Sequence, residues 1–300
     1  MKHFYDLNGV VPGPSRVAFG SFDGMHLGHR AVLRRLRGYE GQIPVVVSFA
    51  EAERPVIYTE SEKEYLLSGM SVETMISLSR AMVEAMTAED FCRRILCSRL
   101  QAKTVVAGEN LCFGSNSQGA QELVRLGEKL GFSVEIVPEV RLEGEPVTTG
   151  AVKQAIEQGD FSAMLALLGH PYVMQGTVVH GKAAGRKHGM PTANLGVAEN
   201  KLFPPHGVYG ALAYLDGAFF RGMTSVGFRP SDDDIPIATI ETWLLNFDRD
   251  IYGKKLTLEL YSYIRGVRKF NGLDEVRRQI DQDVLTVQSY MDRVVEEMKV

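Results

Sequence analysis

One glycine-rich stretch constrains this chain more than any other part of its sequence, and its ten residues are Gly20-Ser-Phe-Asp-Gly-Met-His-Leu-Gly-His29. The short run Arg16-Val-Ala-Phe19 before it, which is apolar after the arginine, predicts a buried strand, and residues 30–37 after it predict a helix. Glycines let a backbone approach a ligand closely, and a helix start offers unpaired N–H groups and the positive end of a dipole. The stretch therefore predicts an anion-binding turn between strand and helix, with His26 and His29 beside the anion.

The first half of the chain has the pattern of an α/β domain. The whole chain has 300 residues, which is enough for about two domains, each with its own core. Strands that alternate with helices form a parallel sheet, and ligands bind beyond the carboxyl ends of its strands, where the glycine-rich turn lies. Besides 16–19, the sequence predicts strands at 43–49, 72–78, 103–107 and 133–137, and helices from the capping box 59–62 through 67, from the cap at 87–90, and at 118–130.

The second half changes to short alternating segments, which predict antiparallel strands in a small barrel or sandwich. These strands are predicted at 172–180, 208–215, 218–226, 239–247 and 255–264. A long final helix follows, with a single apolar stripe from Leu273 to Met298 at a spacing of three and four residues. We therefore predict a first domain at 1–157, a linker at 158–171 and a second domain at 172–300.

Two features of the second half have residue types that are typical of binding or catalytic sites. Residues 181–194 are rich in glycine and basic side chains, which suit phosphates, and they end in Pro191-Thr-Ala-Asn194. They do not form the common P-loop, because GxxxxGK[ST] occurs nowhere in the chain. Glu241 alternates with apolar residues and shares a strand face with Trp243 and Leu245. A carboxylate on an apolar face is costly unless it is paired or used, and an exposed barrel face is the alternative.

These motifs carry a resemblance to a known family. The turn at 20–29 resembles the HxGH signature of nucleotidylyltransferases, in the form found in bacterial bifunctional riboflavin kinase/FAD synthetases, and Pro191–Asn194 resembles the PTAN motif of riboflavin kinases. The resemblance covers nearly the whole chain and is weaker from Glu51 to Lys153. It implies an α/β protein with an N-terminal Rossmann-like nucleotidylyltransferase domain and a C-terminal antiparallel β-barrel riboflavin kinase domain with a terminal helix. It also implies ATP-dependent phosphorylation of riboflavin to FMN, then adenylylation of FMN to FAD with release of pyrophosphate.

The resemblance also implies roles for individual residues. His26 and His29 are expected to stabilise charge on the phosphates, and Glu241 to act as the base of the kinase. Thr192 and Asn194 are expected to hold Mg²⁺ with ATP, since both are neutral oxygen donors suited to a hard cation. Residues expected to bind ATP or its phosphates are Gly20, Phe22, Asp23, Gly24, Gly28, Thr148, Thr149, Lys153, Gly181, Lys182, Gly185 and Arg186. Residues expected to bind flavin are Asn110, Phe113 and Arg265.

The chain departs from the family pattern at two places, which leaves alternatives open. The family usually has Asp-Phe-Arg where this chain has Asn110-Leu-Cys112, and Ser-Ser-Thr-x-Ile-Arg where it has Thr148-Thr-Gly-Ala-Val-Lys153. Lysine keeps the positive charge but lacks the planar, bidentate grip of arginine. The alternatives are a riboflavin kinase whose first domain is degenerate or regulatory, and transfer of a nucleotidyl group to a different phosphate ester.

Composition limits the setting in which the chain works. A net charge of −4 disfavours nucleic acid as a partner, so small-molecule substrates are expected. The three cysteines lack metal-ligand spacing and predict reduced thiols, and no apolar run reaches the length of about 20 residues that crosses a membrane. We therefore predict a cytoplasmic protein that binds no membrane and is a monomer or a weak homo-oligomer.

Overall fold

A computed structural model describes residues 1–300 except 11–12, 38–39, 71, 182–190, 231–235, 269, 271 and 299–300. The chain forms two compact units. The first contains Met1–Lys153 and Leu167–Gly169, and the second contains Gln154–Ala166 and His170–Val300. Residues 158–171, predicted to be a linker, include a helix at Phe161–Leu168.

The elements up to that helix alternate between strands and helices. In chain order they are β1 (Lys2–Phe4), β2 (Ser15–Gly20), α1 (Leu27–Arg34), β3 (Ile43–Ala50), α2 (Glu60–Ser68), β4 (Thr74–Ser79), α3 (Arg80–Glu84), α4 (Ala88–Phe91) with a π-helical continuation at Cys92–Arg99, β5 (Ala102–Gly108), β6 (Cys112–Phe113), β7 (Gln118–Gly119), α5 (Ala120–Leu130), β8 (Ser133–Val137), β9 (Arg141–Leu142), β10 (Glu145–Pro146), α6 (Thr149–Glu157) and α7 (Phe161–Leu168).

The first unit is built on a six-stranded parallel sheet with the strand order β1-β4-β3-β2-β5-β8. The three consecutive valines of β3 are fully buried, as are Val17 of β2 and Val105 of β5, which explains the apolar runs in the sequence. The chain proceeds from β2 to β3 on one side and returns to β5 on the other. The turn that follows β2 therefore lies at the point where the strand order reverses, the usual ligand-binding position in such sheets.

Local sequence signals account for several boundaries in this unit. The capping box is confirmed, because Thr59 accepts a hydrogen bond from the Glu62 N–H and the Glu62 carboxylate accepts one from the Thr59 N–H. Helix α5 ends at Leu130, the predicted end, and Gly131 follows it with a left-handed φ of +86°. Strand β1 was not predicted, because three residues are too few for a periodic pattern, and its pairing with β4 fixes it.

The second unit contains a closed antiparallel barrel and a long helix. Its elements after α7 are β11 (Tyr172–Val179), β12 (Thr192–Gly196), β13 (Gly207–Leu215), β14 (Ala218–Pro230), β15 (Pro236–Leu244), β16 (Lys255–Arg265) and α8 (Leu273–Glu297). The strand order is β11-β12-β15-β14-β13-β16, and pairing of β16 with β11 closes the barrel. Of the two predicted architectures, a small barrel or a sandwich, the barrel is therefore correct. Strand β12 was missed because its polar residues and the proline before it indicated a turn.

Helix α8 packs its apolar stripe in a cluster of buried residues. Val287, Met291 and Val294 lie in this cluster with Leu212 of β13, whereas Met298 is exposed. One buried charge also attaches the helix to the barrel. Asp283 is only 3% exposed, and its carboxylate accepts from the Arg265 guanidinium of β16 at 2.7 to 3.1 Å.

Replacing Asp283 by alanine is expected to destabilise the second unit by about 3 kcal/mol, because the mutation leaves the half-buried guanidinium of Arg265 without its carboxylate. The fluorescence of Trp243 reports on this unit alone, since it is the chain's single tryptophan and packs against the α8 cluster. Urea unfolding followed by this signal measures the change. D281A is the matched control, because Asp281 is exposed on the same helix, and we expect it to stay within about 0.5 kcal/mol of the parent. Equal stabilities for the two variants would contradict the role of the ion pair.

Candidate active sites

The turn between β2 and α1 has a strained backbone. Gly20 and Gly24 have φ angles of +153° and +89°, and the bulky residues Phe22 and Met25 both lie at +46°. A left-handed conformation costs a residue with a side chain about 1 kcal/mol or more. Phe22 and Met25 are also buried. Contacts around the turn must therefore compensate for this strain.

Asp23 holds the turn against the segment before α2. Its Oδ1 accepts hydrogen bonds from the N–H groups of Ile57 at 2.7 Å and Tyr58 at 3.0 Å, while its Oδ2 lies 3.3 Å from Lys153 Nζ. The hydroxyl of Thr149 donates to the Asp23 carbonyl at 3.0 Å. The structure thus brings three residues predicted to bind phosphate to the turn, and their observed contacts fix its shape.

The two histidines lie together at the start of α1. His26 is the N-cap, and its Nδ1 accepts from the His29 N–H at 3.4 Å. The two rings stack with 3.7 Å between their centroids. Gly28 leaves room for this arrangement, because a Cβ there would lie 3.1 Å from His26 Cε1 and 3.3 Å from the carbonyl oxygen of Val147.

Burial makes both imidazoles weak bases. It lowers the pKa of His26 to about 4, and it lowers the pKa of His29 well below the usual value, with the neighbouring charges of His26 and Lys63 as further causes. Since Nδ1 of the neutral His26 ring is a hydrogen-bond acceptor, its Nε2 carries the proton. His29 Nδ1 is buried and has no hydrogen-bond partner among the described residues. The pair therefore consists of neutral rings, each of which keeps one N–H donor and becomes charged only when an anion compensates the charge.

A cavity of about 410 Å³ opens beside these rings, at the carboxyl ends of the central strands. It combines the turn after β2, the loop after β5, the loop after β8 and the start of α6. Its lining residues are Phe19, Gly20, Ser21, Phe22, His26, Gly28, His29, Val32, Gly108, Glu109, Asn110, Leu111, Cys112, Val137, Pro138, Glu139, Val140, Val147, Thr148 and Thr149. Most predicted residues of the first site thus share one cavity, while Asp23, Gly24 and Lys153 are outside its lining.

The predicted flavin residues of this unit are in different surroundings. Asn110 lines the cavity, and its amide donates to the Glu139 carboxylate at 2.7 Å. Phe113 is outside the lining: its ring is buried and packs edge-on against Phe19, with 5.2 Å between the centroids. Cys112, which stands where the family usually has arginine, is an exposed free thiol at the cavity. The side chain at this position therefore offers a bound anion no positive charge.

One residue that holds the turn was not predicted. The Lys63 ammonium is almost completely buried and donates to the Ser21 carbonyl at 2.6 Å. In the sequence Lys63 is only a charged residue in a predicted helix, and helix periodicity alone does not show which polar residue the tertiary structure buries. The capping box does place Lys63 near the start of α2, the one local signal available.

The second site is arranged by strand register on the barrel's outer face. Asn194 of β12 is directly opposite Glu241 of β15, and Thr192 is opposite Trp243. Opposite residues in an antiparallel pair project on the same side, with Cβ atoms about 5 Å apart. The four side chains are half-buried, whereas the alternating residues Ala193, Ile240, Thr242 and Leu244 are buried. Glu241 therefore shares the predicted face with Trp243, and that face is the outer one.

Gly181 places the backbone directly against this group. A Cβ at position 181 would lie 2.2 Å from Asn194 Nδ2 and 2.6 Å from Asn194 Oδ1, so no larger residue fits without moving the amide. A neighbouring cavity of about 300 Å³ is lined by Pro191, Thr192 and the segment 247–252, among others. Arg249 is one of the lining residues, and its guanidinium lies over the Phe247 ring at 4.9 Å.

Arg265 is the remaining predicted residue of the second unit that the structure describes. Arg265 is engaged by Asp283, and its remaining guanidinium nitrogen donates to the Gly266 carbonyl at 3.0 Å. Lys182, Gly185 and Arg186 lie outside the described residues. Their predicted contacts with phosphate therefore stay predictions.

The donor set on the barrel fits Mg²⁺ that arrives with a nucleotide. No group of three or more histidine, cysteine or acidic side chains suited to a metal occurs among the described residues. Thr192 and Asn194 offer neutral oxygens on one face, and Glu241 offers a carboxylate beside them. Mg²⁺ usually binds through one or two protein groups together with phosphates and water, which is what such a sparse set can supply.

Comparisons with known families assign each unit separately. The family model for riboflavin kinase matches residues 168–291, and the model for FAD synthetase matches residues 11–151. Curated relatives described as bifunctional riboflavin kinase/FMN adenylyltransferase match over nearly their full length. The protein from Haemophilus influenzae is 30% identical, covering 97% of this chain and 99% of the relative, and the Escherichia coli protein is 30% identical with 97% and 98% coverage.

A solved structure also matches nearly the whole chain. It comes from Streptococcus pneumoniae, is described as a macrolide-efflux protein, and is 29% identical with a TM-score of 0.81. The match covers 96% of this chain and 98% of that structure. Its description concerns efflux, whereas both family models and the curated relatives concern flavin enzymes. In the described part of this chain, no helix combines the length and apolarity needed to cross a bilayer.

The low basicity of the histidine pair can be measured directly. We expect His26 to titrate near pH 4 in the ligand-free protein, because its buried ring disfavours the charged form. Its folded pKa is lower than its unfolded pKa, so its contribution to stability is complete above about pH 6.5 and is lost as the pH falls toward 4. Histidine Cε1–H chemical shifts followed by NMR give the value, and loss of one signal in H26N assigns it. A titration midpoint near 6.5 would show that the ring is solvated.

Proposed function

The chain belongs to the family of bifunctional riboflavin kinases/FMN adenylyltransferases, and from that premise we propose which residues carry out each reaction. It phosphorylates riboflavin to FMN and adenylylates FMN to FAD. The match of the FAD synthetase model to residues 11–151 favours two activities over a kinase with a silent first domain. One observation supports the assignment of residues: His26, His29 and the glycine-rich turn line the same cavity of the first unit.

We propose that adenylyl transfer takes place in the 410 Å³ cavity. A phosphate oxygen of FMN attacks the α-phosphorus of ATP, a new P–O–P bond forms, and the bond to pyrophosphate breaks. No covalent enzyme intermediate is needed. His26 donates from Nε2 to a phosphate oxygen, and His29 takes the same role beside it. Because the His26 ring is buried and the two stacked rings are preorganised, their hydrogen bonds strengthen as negative charge grows on the phosphates.

The remaining residues of the first site divide into two groups. Gly20, Phe22, Gly28 and Thr148 line the cavity, and we propose that they contact phosphates, with Asn110 on the flavin side. Asp23, Thr149 and Lys153 act by holding the turn, because their contacts are with backbone groups or with one another, although Thr149 also lines the cavity. Gly24 acts in the same way through its left-handed φ and the close packing of the Ile57 side chain against it. Phe113 supports the flavin side from the core through its packing on Phe19.

We propose that riboflavin phosphorylation takes place at the group formed by Thr192, Asn194 and Glu241. Glu241 accepts the proton of the ribityl 5′-hydroxyl as that oxygen attacks the γ-phosphorus of ATP and ADP leaves. Thr192 and Asn194 hold Mg²⁺, which neutralises phosphate charge when bound. Residues Gly181, Lys182, Gly185 and Arg186 contact the phosphates. Arg265 contributes to flavin binding by fixing the end of β16 against α8.

The same proposal extends to the domain bounds, the cellular location and the oligomeric state of the enzyme. We propose that the adenylyltransferase domain spans 1–157, that 158–171 links it to the kinase domain, and that the kinase domain spans 172–300. The three free cysteines support a cytoplasmic location. Small-molecule substrates need no nucleic acid or membrane partner, and we propose a monomer or a weak homo-oligomer.

Separate substitutions in the two sites test the assignment. H26A is expected to lower FAD formation from supplied FMN about 100-fold, because one preorganised donor to the phosphates is lost, while FMN formation from riboflavin stays within about threefold. E241Q is expected to lower FMN formation from riboflavin, while FAD formation from supplied FMN stays within about threefold. Chromatographic separation of riboflavin, FMN and FAD over time measures both steps in one sample. Equal loss of both products in either variant would refute the division.

The close approach of Gly181 to Asn194 gives an independent test of the kinase site. G181A is expected to lower FMN formation at least tenfold and to raise the Mg²⁺ concentration needed for half-maximal rate, because the added methyl displaces the Asn194 amide. FAD formation from supplied FMN is the internal control and stays unchanged. A normal Mg²⁺ dependence with a normal rate would show that Asn194 does not act at this site.

A further inference from the structure

We propose that Lys63 is a positioning residue for adenylyl transfer, acting through the peptide group between Ser21 and Phe22; this inference rests on the proposed function of the first unit. Lys63 lies on α2, outside the cavity lining, and is 1% exposed. A lysine is rarely buried so completely unless its ammonium has partners. Its contacts therefore indicate what the buried charge does.

All three donor positions of the Lys63 ammonium are used. Nζ donates to the Ser21 carbonyl at 2.6 Å, to the Ser48 hydroxyl at 3.2 Å and to Glu60 Oε1 at 2.7 Å. Glu60 is itself held from its other oxygen, which accepts from the Ser77 hydroxyl at 2.5 Å. The ammonium is thus fixed by strands β3 and β4 as well as by α2, and it reaches the strained turn through its hydrogen bond to the Ser21 carbonyl.

This contact fixes the direction of the next amide. In a trans peptide the C=O and N–H groups point in opposite directions, and the described chain contains no cis peptide. Ser21 and Phe22 both line the cavity, whereas Lys63 does not, so the Ser21 carbonyl is turned away from the cavity toward the ammonium. The Phe22 N–H then points toward the cavity. Among the described residues, no group accepts a hydrogen bond from it.

An amide in this position suits the chemistry of the site. A fixed N–H group that faces a phosphate stabilises charge as it develops, and it needs no reorganisation during the reaction. Phe22 is held at a φ of +46°, so its peptide group would lose this orientation readily without an external contact. Lys63 supplies that contact from behind the turn. It also places a positive charge near His29, whose pKa it helps to lower.

If the buried ion pair of Lys63 and Glu60 had only a structural role, a different result would be expected. In that case, neutralising either Glu60 or Lys63 would impair the enzyme to a similar extent. Under our proposal Glu60 matters only as the counter-charge. E60Q therefore stays active, because Lys63 still donates to Ser21. The double variant K63M/E60Q loses activity without leaving an unpaired charge in the interior, which keeps the variant folded.

Steady-state kinetics of FAD formation from supplied FMN test the proposal in wild type, E60Q and K63M/E60Q. We expect kcat of the double variant to fall about 100-fold, as for loss of one transition-state donor, with the Kd for ATP changed less than threefold. E60Q is expected to stay within threefold of wild type in both quantities. ATP binding measured by calorimetry shows that the first unit of each variant is folded, and FMN formation in the same samples checks the second unit.

Three results would overturn the inference: a double variant with wild-type kcat, a loss confined to ATP affinity, or an E60Q variant as impaired as the double variant. Failure of the proposed function itself is distinguishable, because wild-type protein would then form no FAD from FMN and ATP. Wild-type FAD formation with an unimpaired double variant would refute the role of Lys63 alone.

Discussion

The proposed site of adenylyl transfer depends on a strained turn that the rest of the first unit holds in place. Phe22 and Met25 are bulky residues in the left-handed region, where each costs on the order of 1 to 3 kcal/mol. The carboxylate of Asp23 and the ammonium of Lys63 offset this cost with charge-assisted hydrogen bonds to backbone groups. The strain is thus maintained by buried polar contacts, and the shape of the cavity, the position of the histidine pair and the proposed orientation of the Phe22 amide all depend on these contacts.

The side chains of the two proposed sites are held in position in different ways. In the first unit, side chains from distant parts of the chain fix one irregular turn, so each contact is specific to a residue. In the second unit, regular strand pairing sets Asn194 opposite Glu241 and Thr192 opposite Trp243 without any special contact. Register is a property of the whole barrel, because slipping one strand by one residue would move Glu241 to the inner face. The kinase group therefore depends on barrel closure more than on any single hydrogen bond.

Sequence patterns predicted what is local or periodic. The strand–turn–helix at 15–34, the capping box at Thr59 and the buried stripe of α8 were all predictable, because each depends on neighbours along the chain. Strand β12 was missed, since only pairing with β11 and β15 makes Thr192–Gly196 extended. The burial of Lys63 was missed for the same reason: its partners Ser21 and Ser48 are 42 and 15 residues away.

Family resemblance transfers positions more reliably than contacts, and Lys153 illustrates the difference. It stands where the family has arginine, yet its ammonium contacts the Pro55 carbonyl at 2.9 Å and Asp23 at 3.3 Å, outside the cavity lining. A lysine is a compact charge that cannot grip a phosphate in two places, but it can join one carboxylate to one carbonyl. The substitution therefore suits a residue that holds the turn. We therefore propose that phosphate contact in this chain falls to the backbone and to the histidines, whose geometry Asp23 and Lys63 maintain.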